Sequence, residues 1–425
     1  MKQLQRRSLG RRRICTMARP DIFLRRLFEA AVAAGSPEQC LRQVLPAPPR
    51  GRTVVLGAGK AAASMARAVE QNWKAPLEGL VVTRYGHGVE TESIEVVEAA
   101  HPVPDAAGRR AASRMLDLAS GLGRDDLALC LISGGGSALL AEPVQSVALD
   151  EKMEITRGLL RSGATIGEIN VVRKHLSAIK GGRLAEACHP ARVVTLAISD
   201  VVGDDPSVIA SGPTVPDPST SDEAISVIEK YGIPVAEGVL SHLRSGGAET
   251  AKSGDSAFSR DEFHILATGQ QALDDAASIV TDAGFSSLVL GDRVEGEARK
   301  VAEAHAALAL QIWGRKHRIL PPCVVLSGGE TTVSIRGGGL GGPNTEYLLA
   351  LGLALNGASG IWALAADTDG LDGIGDNAGA ILAPDSLDRI RSQGLDPKAA
   401  LADNDAYAIF AGIGDLVVTG PTRTN

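Results

Sequence analysis

Short apolar runs alternate with segments of helical period along most of this chain. That alternation restricts it to folds built on a parallel sheet with helices on both faces. Residues 53–56, 80–83, 94–98, 127–132 and 193–198 read as buried strands, and 21–34, 36–45, 61–70 and 106–122 as helices. A polar, glycine-rich stretch over 245–256 reads as a linker, after which the alternation restarts. Strands are expected at 263–267, 287–290, 323–326 and 362–366, and helices at 271–283, 295–313 and 345–355. The reading is two α/β domains: a larger Rossmann-like one over 17–248 and a smaller one over 257–425, with the ligand in the cleft between them.

Composition narrows the function. The 425 residues are 44% hydrophobic and 22% charged, enough to bury sizeable cores. Aromatics are only 3% and the formal net charge is −7, which disfavours nucleic acid as a partner. The longest clean apolar run, Leu127–Ile132, is far too short to span a bilayer. Cys15, Cys40, Cys130, Cys188 and Cys323 are scattered, with no Cys-x-x-Cys pair, so neither a disulfide framework nor a structural zinc site is expected. Residues 1–16 carry Lys2 and five arginines without one acid and lack a signal-peptide apolar core; they read as a disordered extension before a start at Met17. A cytoplasmic small-molecule enzyme without a membrane partner follows, with a homodimer left open.

Four groups of residues carry chemistry. Gly57-Ala58-Gly59-Lys60-Ala61-Ala62 follows a strand, opens a helix and fits the G-x-G-x-x-A dinucleotide turn. The ribose-binding acid about 20 residues on is missing; Thr83-Arg84 stands there, and an Arg would suit NADP. The P-loop is excluded, because Val54 replaces its first Gly and Ala61 its Ser or Thr. A plain strand-to-helix turn remains the alternative. Against that, Lys60 at a helix N-terminus opposes the dipole and points to an anionic ligand.

Ser133-Gly134-Gly135-Gly136-Ser137 follows the next strand and has the glycines needed for close approach to a phosphate. Ser327-Gly328-Gly329-Glu330 and the glycines of 337–342, followed by Asn344 and Glu346, repeat the theme. A basic segment places Arg173, Ser177 and Lys180 on one helical face for an anion, an ordinary solvated face being the alternative. Carboxylates then follow two strands: Asp200, Asp204 and Asp205 after 193–198, and Asp367, Asp369, Asp372 and Asp376 after 362–366. Asp200 and Asp369 are the better metal candidates, since strand carboxyl ends are where open α/β sheets bind ligands.

These segments together resemble the glycerate 2-kinases that carry a MOFRL C-terminal domain. The resemblance runs from about Phe23 to Asn425. It is carried by the Gly57–Ala62 turn, the Ser133–Leu139 loop, Arg173-Lys174-His175-Leu176-Ser177 with Lys180-Gly181-Gly182-Arg183, Ser199–Pro206 through Ala210-Ser211-Gly212-Pro213-Thr214, Ser327–Val333, and Thr419-Gly420-Pro421-Thr422. It implies phosphorylation of D-glycerate at the 2-hydroxyl by ATP with Mg2+. Lys60, Asp200 and Arg336 are then the catalytic candidates. Gly57, Gly59, Ser133, Gly134, Gly135, Gly136, Ser137 and Lys180 are the phosphate-binding ones, and Arg173, Asn344 and Glu346 would hold the substrate. The chain departs from the family pattern at Pro343 and at Arg423, where the family reads Gly. An NAD(P)H-dependent hydroxypyruvate reductase is the rival reading, because it would use the same turn.

Overall fold

The computed structural model describes residues 19–425; the expected extension over 1–16 and the start at Met17 lie outside them. Two compact units form. One holds Pro37–Thr268 with Asn425, and the other holds the described residues 19–36 with Gly269–Thr424.

The first unit is built on six parallel strands: β1 (Thr53–Ala58), β2 (Glu78–Arg84), β3 (Ile94–Ala99), β4 (Leu127–Ile132), β5 (Arg192–Ile198) and β6 (Glu262–Ala267). Their order is β3-β2-β1-β4-β5-β6, the doubly wound order of dinucleotide-binding sheets. Strand sequences such as Thr-Val-Val-Leu and Leu-Ala-Leu-Cys-Leu-Ile are apolar at successive positions because both faces are covered. Val54, Leu56, Ala58, Ala128 and Cys130 pack under Ala111, Ala112, Met115 and Ala119 of helix Ala106–Ser120. Val55, Leu127, Leu129 and Leu131 point the other way, onto Met65, Ala66 and Val69 of helix Ala62–Asn72.

The sixth strand moves the expected boundary. Residues 263–267 were assigned to the second domain, but this strand pairs along β5. The supposed linker is not a linker: Ala248, Thr250 and Ala251 are buried, and Arg183 donates to the Ala248 and Glu249 carbonyls. Four further helices, Leu149–Arg161, Ile166–His175, Ser221–Lys230 and Glu237–Arg244, pack around Ile155, Leu159, Ile169, Val172, Ala224 and Ile228.

In the second unit the strands are short. β7 (Ser286–Val289) pairs parallel with β9 (Cys323–Leu326), and β8 (Val294–Glu297) pairs parallel with β10 (Gly329–Thr332). β11 (Ala363–Ala366), β12 (Gly379–Leu382) and β13 (Leu416–Val417) form an antiparallel sheet. The helix expected to start at Glu295 starts at Ala298, because Val294–Glu297 is taken up by pairing with β10. Helix Pro20–Ala34 belongs to this unit, where Leu27 packs with Ala276 and Val280, and Phe23 lies against Phe285 at 5.8 Å between ring centroids. Arg423 sits at φ +60, the left-handed conformation that favours Gly there.

The core around the central strands sets stability. Replacing fully buried Leu129 by Ala removes packing on that face and is expected to cost about 2–5 kcal/mol, read from a shifted urea midpoint of the unfolding transition.

Candidate active site

In a sheet of this order the strand sequence reverses between β1 and β4, and ligands bind at the carboxyl ends there. The turn after β1 and the loop after β4 meet at that point. Gly59 adopts φ +140 and passes so close to Ser133 that a Cβ would overlap its Oγ and carbonyl. Only Gly fits. The Lys60 amide then donates to Gly134 O at 2.8 Å and the Ala61 amide to Ser133 Oγ at 3.0 Å, while Ser133 N–H returns to Ala58 O at 3.0 Å.

This arrangement has a chemical consequence. In a dinucleotide-binding turn those helix-terminal amides would face a pyrophosphate; here the protein itself occupies them. The Ala62 amide likewise donates to Gly59 O. The amides of Gly134 and Gly135, by contrast, have no acceptor among the described residues. With Gly135 at φ +79, they form a small concave pair of donors suited to an oxyanion.

Side chains converge on the same loop. The Lys60 stem and the His101 ring flank Gly135, at 3.4 and 3.0 Å from where its Cβ would stand. Exposed Asp200, just beyond the end of β5, lies against Gly134 and leaves no room for a side chain there. Asn425 touches Gly134 too, and donates to Ile198 O at 3.2 Å. Ser137 Oγ is 2.7 Å from Ser211 Oγ. Ala210 and Ser211 both hold positive φ, at +51 and +63, a costly conformation for non-glycine residues that concentrates at ligand sites.

A different cavity, of about 360 Å³, opens among Pro48, Arg50, Asp126, Leu127, Arg192 and Arg260. It lies where β4 and β5 begin, away from the ligand-binding ends, and none of the converging residues lines it.

The profile of the domain of unknown function DUF4147 matches residues 23–244, and that of the MOFRL family matches residues 323–425. A D-glycerate 2-kinase of Thermotoga maritima is 39% identical over 94% of this chain and 94% of its own. A crystal structure of a glycerate kinase from the same organism superposes with a TM-score of 0.83 at 36% identity, covering 100% of this chain and 98% of the other. A protein of Agrobacterium vitis, 52% identical over 97% of this chain and 94% of its own, bears a provisional hydroxypyruvate reductase name. The chain belongs to the glycerate kinase family.

Within this glycerate kinase framework several expected site residues turn out to be scaffold. Helix Ile166–His175 ends before Ser177 and Lys180, so these two do not share a helical face with Arg173. Lys180 is fully buried and its Nζ donates to Ser137 O and Leu140 O, both at 2.7 Å. It props the loop from beneath rather than facing a phosphate. Lys174 pairs with buried Asp217 at 3.1 Å, and Arg183 caps the carbonyls of Lys174, Ser177, Ala248 and Glu249.

In the second unit Glu346 is buried, accepts from Arg299 Nε at 2.7 Å and from Asn404 Nδ2 at 2.8 Å, and is closed to substrate. Asn344 is held by Asp372, whose carboxylate also receives the Thr345 amide and hydroxyl and so caps helix Pro343–Leu355. The glycines at 337, 339 and 342 are there for packing, against Asp403, Asp405 and Asp372. Gly329, at φ +140, lets β10 lie on Val294 and forms no phosphate loop. Buried Asp369 accepts the Leu371 amide in a turn. The Arg336 side chain is exposed, and its amide is fixed by Asn404 Oδ1 at 2.7 Å.

Sequence reasoning missed His101 and the place of Ser211, which the structure brings to the glycine loop. Among the described residues no three His, Cys, Asp or Glu side chains gather into a metal cage, and no helix is long and apolar enough to cross a membrane. Gly59→Ala is expected to abolish the turn-to-loop contact. Glycerate phosphorylation should fall at least 100-fold while circular dichroism keeps the α/β signature; a near-normal rate would remove the contact from the site.

Proposed function

We propose that this protein transfers the terminal phosphoryl group of ATP to the 2-hydroxyl of D-glycerate, giving 2-phospho-D-glycerate. The carrying observation is the meeting of Lys60, the Gly134–Gly135 amides and Asp200 at the switch point. Phosphoryl transfer needs positioning and neutralisation of charge more than covalent participation by the protein. A half-buried lysine and two backbone donors supply the positive side of that requirement.

Asp200, beside Gly134, would hold a magnesium ion, which needs only one or two carboxylates besides the phosphates and, when bound, would supply positive charge against theirs. Lys60 would hold phosphate oxygens over the loop, and Gly134 and Gly135 would orient them. His101, at Gly135, is within reach of the same anion and would accept the hydroxyl proton or hold the nucleophile in line. Arg336 enters from the resemblance alone, as a second cation for the transferred group. A cytoplasmic setting is part of this proposal.

The rival reductase reading loses its main support because the amides that would bind a nicotinamide dinucleotide are taken by Gly134 O and Ser133 Oγ. The deciding assay follows phosphorus NMR of purified protein with D-glycerate, ATP and Mg2+, beside hydroxypyruvate with NADH or NADPH. 2-Phosphoglycerate without nicotinamide oxidation is expected, and oxidation without a phosphorylated product would overturn the assignment. Lys60→Ala should lower kcat/KM by about 10²–10⁴, roughly 3–5 kcal/mol of transition-state stabilisation, with an unchanged thermal midpoint.

A further inference from the structure

Lys152, on helix Leu149–Arg161, is only 7% exposed, and its Nζ has no hydrogen-bond partner among the described residues. An ammonium without a partner in a dry site is costly and is not kept for stability alone. Its electrical surroundings deepen the cost: Arg173 and Arg183 repel it, and Glu142 alone attracts it. Burial together with these cations pushes the amine down to about 7. Lys180 lies in the field of both Lys152 and Arg173.

The cations divide sharply by partner. Lys180 is committed to the Ser137 and Leu140 carbonyls, and Arg183 to four carbonyls. Arg173 makes a single long contact, 3.5 Å to Asn170 Oδ1. Glu142 Oε2 is buried without a hydrogen-bond partner and has Arg109 Nε at 3.5 Å as its ion-pair neighbour. Lys152 and Arg173 are therefore the two cations with unspent donors. Asn170 Oδ1 continues to Ser211 Oγ at 3.5 Å and Ser211 to Ser137 at 2.7 Å, which joins this patch to the glycine loop. An excess of buried positive charge with polar neighbours, linked to the glycine loop through Asn170 and Ser211, calls for a small anion.

We propose that Lys152 and Arg173 form the carboxylate pocket for the 2-hydroxy acid substrate, with Asn170 and Ser211 between them and the phosphoryl-transfer loop. The pocket holds the carboxylate end and leaves the 2-hydroxyl toward Ser137. The choice of acid rests on the kinase reading; the pocket itself rests on the unpaired cation. An uncharged triol, or an acid whose carboxylate is masked as an amide, is excluded by the cost of leaving Lys152 unpaired.

The test is calorimetric titration of the full-length protein with D-glycerate, glycerol and inorganic phosphate, with and without a non-hydrolysable ATP analogue. D-Glycerate should bind and glycerol should not. Lys152→Met should weaken D-glycerate at least 10-fold, Lys152→Arg should retain it, and in turnover the glycerate KM should rise while the ATP KM stays. The thermal midpoint separates this from a structural role. Removing a strained charge should leave Lys152→Met as stable as the parent or more so, most clearly below about pH 7, where the buried amine is charged. That gain should fade as the pH rises toward the ordinary lysine range, where the unfolded chain loses its proton too. Should Lys152→Met fail to fold, Arg173→Met is read in the same way. Unchanged D-glycerate affinity in the variant, or wild-type preference for phosphate over D-glycerate, overturns the pocket. Lys152-dependent D-glycerate binding without any 2-phosphoglycerate would keep the pocket and retire the kinase.

Discussion

Two hydrogen bonds hold the site in place: Lys60 N–H to Gly134 O and Ala61 N–H to Ser133 Oγ. They exist because Gly59 has no Cβ and adopts φ +140, so that the β1 turn can touch the β4 loop. Through them the helix start after β1 spends its amides on protein rather than on a dinucleotide. The same contact pins the loop, so that the Gly134 and Gly135 amides are presented at a fixed place beside Lys60, His101 and Asp200. One close approach of two backbones thus gives the amides of a turn of dinucleotide-binding sequence to protein acceptors.

Beneath the loop the protein uses cations as internal struts. Lys180 donates to Ser137 O and Leu140 O from a fully buried position, well below the ordinary lysine range because of burial and nearby Lys152 and Arg173. Carbonyls partly replace the lost water, which a hydrocarbon side chain could not do. Arg183 works likewise on a neighbouring segment. Rigid support of this kind matters for transfer chemistry, since a displacement of about 1 Å in the reacting groups can cost 10²-fold in rate.

The sheet was legible because its signal is local. Fully buried parallel strands are apolar at each position, and β1, β2, β4 and β5 stand out between glycines and helices. What failed was long-range. Strand β6 reads like the start of a new domain until its pairing with β5 is seen, and 245–256 looks like a linker although Ala248, Thr250 and Ala251 are buried. The helices that follow β4 and those that follow β5 went unread, although Thr165 with Glu168 and Thr220 with Glu223 spell two capping boxes that mark helix starts. That Lys60, Asp200 and the glycine loop come together was legible from their place after strands. Lys180 and Glu346 misled because charge in a sequence does not say whether its partner is a ligand, a carbonyl or an arginine. Lys152 gave no signal at all, since its helix shows it among ordinary charged neighbours and only tertiary burial sets it apart.

Among the strained and unpartnered residues of the first unit, three bear on the proposed pocket. Ala210 and Ser211 are left-handed without being glycines, and Lys152 is buried without a partner. Each costs folding free energy, on the order of 1–3 kcal/mol for a strained backbone residue, and the well-packed sheet beneath supplies it. Ser211 bridges Ser137 and Asn170, and Asn170 meets Arg173. In the pocket proposed above, an occupant that restores the missing negative charge would remove part of that cost. Substrate binding and local stability are then coupled: the acid that fills the pocket also relieves the repulsion between Lys152 and Arg173.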